Sequence, residues 1–325
     1  MAHEMGERQR WAWLAAAWSM VAASCLCGYG WGWVLAGAAA AALYDLYMDH
    51  VMPAGGLVQV YGDLGIPGKL LLLLSGLWVT VLMSWSSVKI ELAFPSIEAV
   101  PELSLVLLAL AAWSSRKGIG AGAACSGVLC LILLALYGLL AAFAVPDLEW
   151  SQLRPWGTWE QGLLSWGLCL LPTVLWFLPR GPRYEKPCRW PAILLPVASA
   201  VLAAWTSGIL SPQLAAVRPS PLYDLAQSVS ILGVMERIEP LLSVAMTMGL
   251  YALLSAFACT VQKIGETIHP WGRYGILAAA VSGIGLYWAK SLETIYVVVG
   301  TLFLWLLLPL LVVGIWNKKR QNEEK

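Results

Sequence analysis

Leu241-Leu242-Ser243-Val244-Ala245-Met246-Thr247-Met248-Gly249-Leu250-Tyr251-Ala252-Leu253-Leu254-Ser255-Ala256-Phe257-Ala258-Cys259-Thr260-Val261 runs for 21 residues without a charge. That is the length at which a helix crosses the hydrocarbon core of a bilayer, roughly 20 residues. Just before it, Pro219-Ser220-Pro221-Leu222-Tyr223-Asp224 leads on to Met235-Glu236-Arg237-Ile238-Glu239-Pro240, with the apolar run Pro191–Leu210 on its other side. Leu222, Leu225, Val229, Leu232 and Met235 recur at helical spacing, while Asp224, Gln227 and Ser228 share another face. The spacing predicts a helix lying on the outer membrane surface. Glu239 precedes a proline, which disfavours helical backbone there, and Pro240 is suited to open the next helix. Glu236 and Arg237 therefore stand at a helix junction. Adjacent residues point about 100° apart on a helix and do not face each other. Headgroup solvation beside a helix N-terminus is one reading of them; a structural lock on the outer side is the reading assigned.

The rest of the chain repeats the alternation of apolar runs and short polar segments. Of its 325 residues 59% are hydrophobic and only 12% charged, with mean hydropathy +0.72. Soluble domains carry about 25% charged residues, so the apolar excess must face lipid. Besides Pro191–Leu210 and Leu241–Val261, the apolar runs are Trp11–Cys27, Gly32–Tyr47, Leu70–Ser87, Leu103–Trp113, Ala121–Val145, Gly162–Leu178, Tyr274–Ala289 and Thr294–Trp316. Trp11–Cys27 is marginal in length, and Leu103–Trp113 spans only by recruiting Ala99–Glu102. With the N-terminus inside, one side of the membrane collects Arg8, Arg10, Lys69, Arg116, Lys117, Arg180, Arg183, Lys186, Arg189, Lys263, Arg273, Lys318, Lys319, Arg320 and Lys325. The other keeps Lys89, Arg154, Arg218, Arg237 and Lys290. This asymmetry is what the positive-inside rule requires. The expected fold is an all-α integral membrane protein of about ten transmembrane helices, with both termini cytoplasmic.

Most other features read as membrane architecture. Trp31, Trp33, Trp85, Trp113, Trp150, Trp156, Trp159, Trp190, Trp271, Trp288 and Trp316 fall near span ends, where indoles anchor at headgroup level. The seven cysteines lack histidine company at metal spacing, since His3, His50 and His269 are scattered, and they read as packing residues. Gly118, Gly120 and Gly122 lack the strand that a nucleotide loop needs and read as close helix packing. Met48–Lys69 carries a short interfacial helix over Gly55–Gly65, closed by a turn. Asp45, Lys89, Glu91 and Glu293 lie near span ends, within reach of water. No basic patch with interleaved aromatics suggests nucleic acid, no catalytic constellation suggests an enzyme, and no cofactor motif is present. Arg8 and Arg10 before Ala22-Ala23-Ser24-Cys25 look somewhat like a signal peptide with a loose lipoprotein site. Ala22, however, stands where such sites carry Leu, Val or Ile.

Helix breaks near the midplane are the sequence sign of a solute site. In the sixth run Gly162, Gly167 and Pro172 supply one, with Ser165 and Thr173 as donors. The first run has no Gly or Pro between Trp11 and Cys27; Ser19, Ser24 and the following Gly28-Tyr29-Gly30 are what it offers. The candidate ligand residues are Ser19, Ser24, Gly167, Pro172 and Thr173.

Leu225-Ala226-Gln227-Ser228-Val229-Ser230-Ile231-Leu232-Gly233-Val234-Met235-Glu236-Arg237-Ile238-Glu239, followed by an apolar span, resembles the B subunits of bacterial spore germinant receptors, of the amino acid–polyamine–organocation transporter superfamily. Pro95–Pro101, Asp147–Pro155, Gly208–Pro221 and the tail Asn317-Lys318-Lys319-Arg320 are in keeping. The resemblance implies two inverted five-helix repeats, residues 1–145 and 146–316, ahead of a basic tail, 317–325. It also implies a site for a small nutrient such as an amino acid between broken first and sixth helices. Partner A and C subunits in the spore inner membrane follow from it as well. Family members have a glycine-containing break and a second half-helix in the first span. Here Cys27 passes almost directly into Gly30-Trp31-Gly32-Trp33, so part of that cradle is trimmed. A small-solute permease working alone and a non-binding structural subunit are the alternatives.

Overall fold

In a bilayer, each backbone polar group must be satisfied within its own segment, and long apolar runs accordingly fold as helices. The computed structural model describes residues 6–94, 101–144, 148–153, 155–179, 190–218, 220–228, 239–269 and 274–323, and these form helices with no strand among them. Among the described residues five helical stretches are long and apolar enough to cross a membrane: Ile66–Glu91, Ile119–Leu139, Ile193–Leu210, Glu239–Ile268 and Thr294–Lys318. The protein is an all-α membrane protein.

The elements follow the apolar runs closely. Helix α1 (Glu7–Val21) continues through a π-helical turn, Ala22–Leu26, and α2 (Trp31–Val51) follows after four residues. Next come α3 (Gly56–Asp63), α4 (Ile66–Val88) with a 3-10 turn at Lys89–Ala93, α5 (Pro101–Arg116) and α6 (Ile119–Ala144). Helix α7 (Trp159–Cys169) gives way to a 3-10 segment, Leu171–Phe177. The remainder is α8 (Trp190–Leu210), α9 (Pro212–Val217), α10 (Pro221–Ser228), α11 (Glu239–Ile268), α12 (Tyr274–Ala289) and α13 (Thr294–Thr301). The last of these runs through a π turn, Leu302–Leu307, into α14 (Leu308–Glu323). Helix α5, at 16 residues, is about 24 Å long, short of the ~30 Å core.

Helix α11 is the most enclosed of the long helices, and α1, α4, α5, α6 and α12 pack around it. Helix α1 lies deep in the bundle, with Trp13, Leu14, Trp18, Met20 and Leu26 all buried. The Trp13 indole donates to the Ala252 carbonyl at 2.9 Å, tying α1 to α11. Gly122 packs under Trp13, where a Cβ would come within 2.8 Å of the ring; helix packing is therefore the role this glycine has. The surface segment is described as far as Ser228. Its α10 buries Leu222 and Leu225 against α8 and α11, and Asp224 pairs with Arg218 at 3.5 Å. Val229–Ile238, with Glu236 and Arg237, lie outside the described residues.

Among the tryptophans assigned to the interface, Trp113, Trp150, Trp156, Trp159 and Trp288 are exposed on the helix ends. Trp85 departs from that reading: it is buried, with the Lys89 ammonium 4.5 Å from its ring centre. The short helix α3 is also drawn inward, burying Leu57, Val58, Val60 and Tyr61 beneath the bundle.

Candidate functional site

Helices α1 and α7 both leave α-geometry in their second halves, and the irregular parts pack crosswise. The π turn of the first lies against α7, and the 3-10 segment of the second lies against α1. Pro172 sits at the start of that 3-10 segment, where its missing N–H removes a hydrogen bond that would have continued α7. The π turn has no such mark in the sequence. Such turns occur mostly as single insertions in α-helices, often at functional sites, and Ser24 lies within this one.

The residues expected to cradle a ligand occupy this crossing, but the hydroxyls of Ser19 and Thr173 are turned to local use. Ser19 Oγ donates to the Ala16 carbonyl at 2.7 Å, and Thr173 Oγ1 donates to the Leu170 carbonyl at 2.6 Å. Gly167 faces α13 so closely that a Cβ would overlap the Val298 side chain. Ser165 Oγ donates to the carbonyls of Trp33 and Gly162, each at 3.0 Å, joining α7 to α2. None of Ser19, Gly167, Pro172 and Thr173 lines the cavity described next.

That cavity, about 230 Å³, opens where the π turn ends and α7 begins. Its walls are Gly28, Tyr29, Gly30, Trp156, Gly157, Gln161, Ser207, Pro212, Gln213 and Ala216. The glycines permit this closeness: a Cβ on Gly30 would come within 2.7 Å of the Gly157 nitrogen, and one on Gly28 within 2.8 Å of the Ala215 carbonyl. The Gly32 N–H donates to the Pro155 carbonyl at 2.7 Å, and the Gly30 N–H donates to Gln161 Oε1 at 3.3 Å. Trp33 packs edge-on against Trp156, with ring centres 5.0 Å apart. Burial pushes the Tyr29 phenol above its ordinary range, with a smaller contribution from Cys25, so its hydroxyl stays a neutral donor. Hydroxyl, amide and backbone groups line the space, and no lining residue is charged. The sequence carried one sign of it, the spacing Gly28, Gly30, Gly32; Gln161, Ser207 and Gln213 are brought in from other elements.

The opposite end of the same two helices carries a buried charge cluster. Arg10 is 2% exposed and Asp45 is 0% exposed. Asp45 was expected near water; instead, Oδ1 accepts a hydrogen bond from the Trp176 indole in the 3-10 segment. The Arg10 guanidinium stacks over Trp176, 3.8 Å from the ring centre, and pairs with Asp49 at 3.4 Å. The alternation of α2 explains the burial. Asp45 is on the face of Ala38, Ala41 and Ala42, the buried side of that helix, and not on the lipid side with Leu43 and Tyr47. Beneath this cluster α3 closes the end. Gly56 takes φ +69° and lies against the chain leaving the 3-10 segment, where a Cβ would come within 2.6 Å of the Leu178 carbonyl. Tyr61 packs on Phe177 at 6.2 Å, and burial raises its phenol as well.

No group of three or more His, Cys, Asp or Glu side chains among the described residues could hold a metal ion. Compared with known proteins, the chain matches no family model and no curated sequence.

Proposed function

We propose that this protein recognises a small, uncharged or zwitterionic polar solute in the cavity between the Gly28–Gly30 turn and the start of α7. We further propose that it serves as the membrane subunit of a nutrient germinant receptor, in the spore inner membrane with A and C partner subunits. The observation that carries the solute reading is that cavity. It is uncharged, lined by both polar and apolar groups and of small-molecule size, between the two helices that leave α-geometry. A zwitterion's carboxylate would find the positive N-terminal end of α7, and its ammonium would find carbonyl and amide oxygens. The germinant role rests on the resemblance of Leu225–Glu239.

The helix neighbourhoods support two inverted repeats of five helices. Exchanging the first five apolar runs with the second five carries the α4–α12 contact onto α11–α5. It carries α1–α6 onto a smaller α7–α13 contact, and α2–α7 onto a much smaller one between α8 and α1. The α1–α11 contact has no partner of similar extent between α7 and α4, so the two halves are not equivalent. Ten spans with both termini cytoplasmic agree with this exchange and with the distribution of Lys and Arg.

Nutrient-triggered germination tests the reading. Gln213 is exposed at the cavity wall, and Gln213→Leu combined with Gln161→Leu removes two of its amides. The response is expected to need far more nutrient while membrane levels of the protein hold. An unchanged dose–response sinks the site. The permease reading is favoured by one observation: the Arg10–Asp45–Asp49 cluster closes the end opposite the cavity, as a transport cycle requires. Solute uptake by the purified chain in liposomes supports it, and strict dependence on co-expressed partners counts against it.

A further inference from the structure

Helices α5 and α12 run antiparallel and leave a groove of about 600 Å³ between them. Their register is set at both ends. A Cβ on Gly275 would meet Ser115 Oγ at 3.0 Å, and one on Gly283 would meet Leu105 Cδ2 at 2.9 Å. Small side chains, Ala109, Ala280 and Gly283, form part of the groove's lining, while Leu105, Trp113 and Ile284 stand exposed beside it. From Leu105 to Arg116 it follows α5 for about 17 Å, close to half of the ~30 Å hydrocarbon core. That is the depth of one leaflet.

The two ends of the groove differ. At the Leu105 end it is apolar. At the other end Arg116 lines it, with its guanidinium carbon 5.9 Å from the Trp113 ring centre, and exposed Lys117 follows. Among the described residues no carboxylate pairs with Arg116. We infer that this groove is a binding site for one anionic phospholipid, its acyl chain lying along α5 and α12 and its phosphate on Arg116. A transmembrane helix of a partner would fill the apolar part but leave the guanidinium without an anion. A phospholipid satisfies both parts, because its charge and its hydrocarbon are separated in the same sense as those of the groove. Basic residues at the membrane surface each favour an anionic headgroup by about fivefold. The inference rests on the chain being in a membrane and is independent of the solute reading.

Native mass spectrometry of the full chain, offered phosphatidylglycerol and phosphatidylcholine in equal amounts, tests it. The unaltered protein should retain phosphatidylglycerol in about fivefold preference or more. Arg116→Gln should bring the two lipids towards parity, with a lipid still bound. Ala280→Phe, which places a ring in the groove from an exposed position, should remove the retained adduct; Ala109→Phe on the other wall should do the same. Wild-type adducts and preference in all three variants would overturn the inference. So would unchanged lipid adducts in the phenylalanine variants together with loss of self-association or partner assembly, since the groove would then seat a helix.

Discussion

Arg10 shows how a residue's role changes once its neighbours are known. By composition it is one more cytoplasmic cation; in the fold it is buried on Trp176, beside Asp45 and paired with Asp49. Removing one partner of a buried charge cluster leaves the remainder uncompensated, at a cost of about 3–5 kcal/mol. Arg10→Ala should therefore lower thermal stability in detergent sharply. Arg10→Ala with Asp45→Leu and Asp49→Asn should recover much of the loss, because no charge is then left buried. Gly56 carries a second residue-scale prediction. At φ +69° a side chain costs about 1–2 kcal/mol, and its Cβ would press on the Leu178 carbonyl. Gly56→Ala should destabilise the chain by at least that amount, whereas Gly118→Ala, also at positive φ but with open space around it, should cost the backbone term alone. Thermal melts of the two variants check the difference.

At the scale of the element, α7 has two distinct faces. One is joined to α2 through Ser165, and the other is pressed onto α13 through Gly167 and Val298. Val298 is β-branched and has little rotamer freedom with which to yield. Gly167→Leu should accordingly destabilise by about 1–3 kcal/mol, the cost of an overpacked interface. Gly167→Ala should be partly rescued by Val298→Ala. Ligand response restored along with stability in the double variant would mark Gly167 as a packing residue. Stability restored without the response would return it to the ligand site. The 3-10 segment after Pro172 holds Trp176 between Arg10 and Asp45, so the break in α7 serves the buried charge cluster, while the cavity lies at the other end of that helix.

For the whole molecule, the distribution of Lys and Arg predicts opposite exposure of two segments. A reporter active only outside the membrane should work when fused after Gln213 and fail when fused after Lys319. The reverse pattern, or activity at both, would remove the ten-span arrangement with inner termini. Five spans in each half, as proposed above, would place the two halves in opposite orientation, which leads to the same expectation.

Each of the ten apolar runs coincides with a helical segment, and the break at Pro172 could be read residue by residue, because hydropathy and proline chemistry act locally. Other features could not be read that way. The π turn at Ala22–Leu26 has no Gly or Pro to announce it. Asp45 stands two residues from Leu43 and Tyr47, both lipid-facing, and only the direction of α2 against Trp176 determines that it is buried. The cavity assembles Gly28, Gln161, Ser207 and Gln213 from separate elements, a convergence no single run contains. By itself the sequence determined that this chain is helical, apolar and asymmetric in charge, since those follow from local composition and the solvent it must match. Tertiary structure alone decided which polar groups meet, because burial and pairing depend on helices far apart in the chain lying side by side.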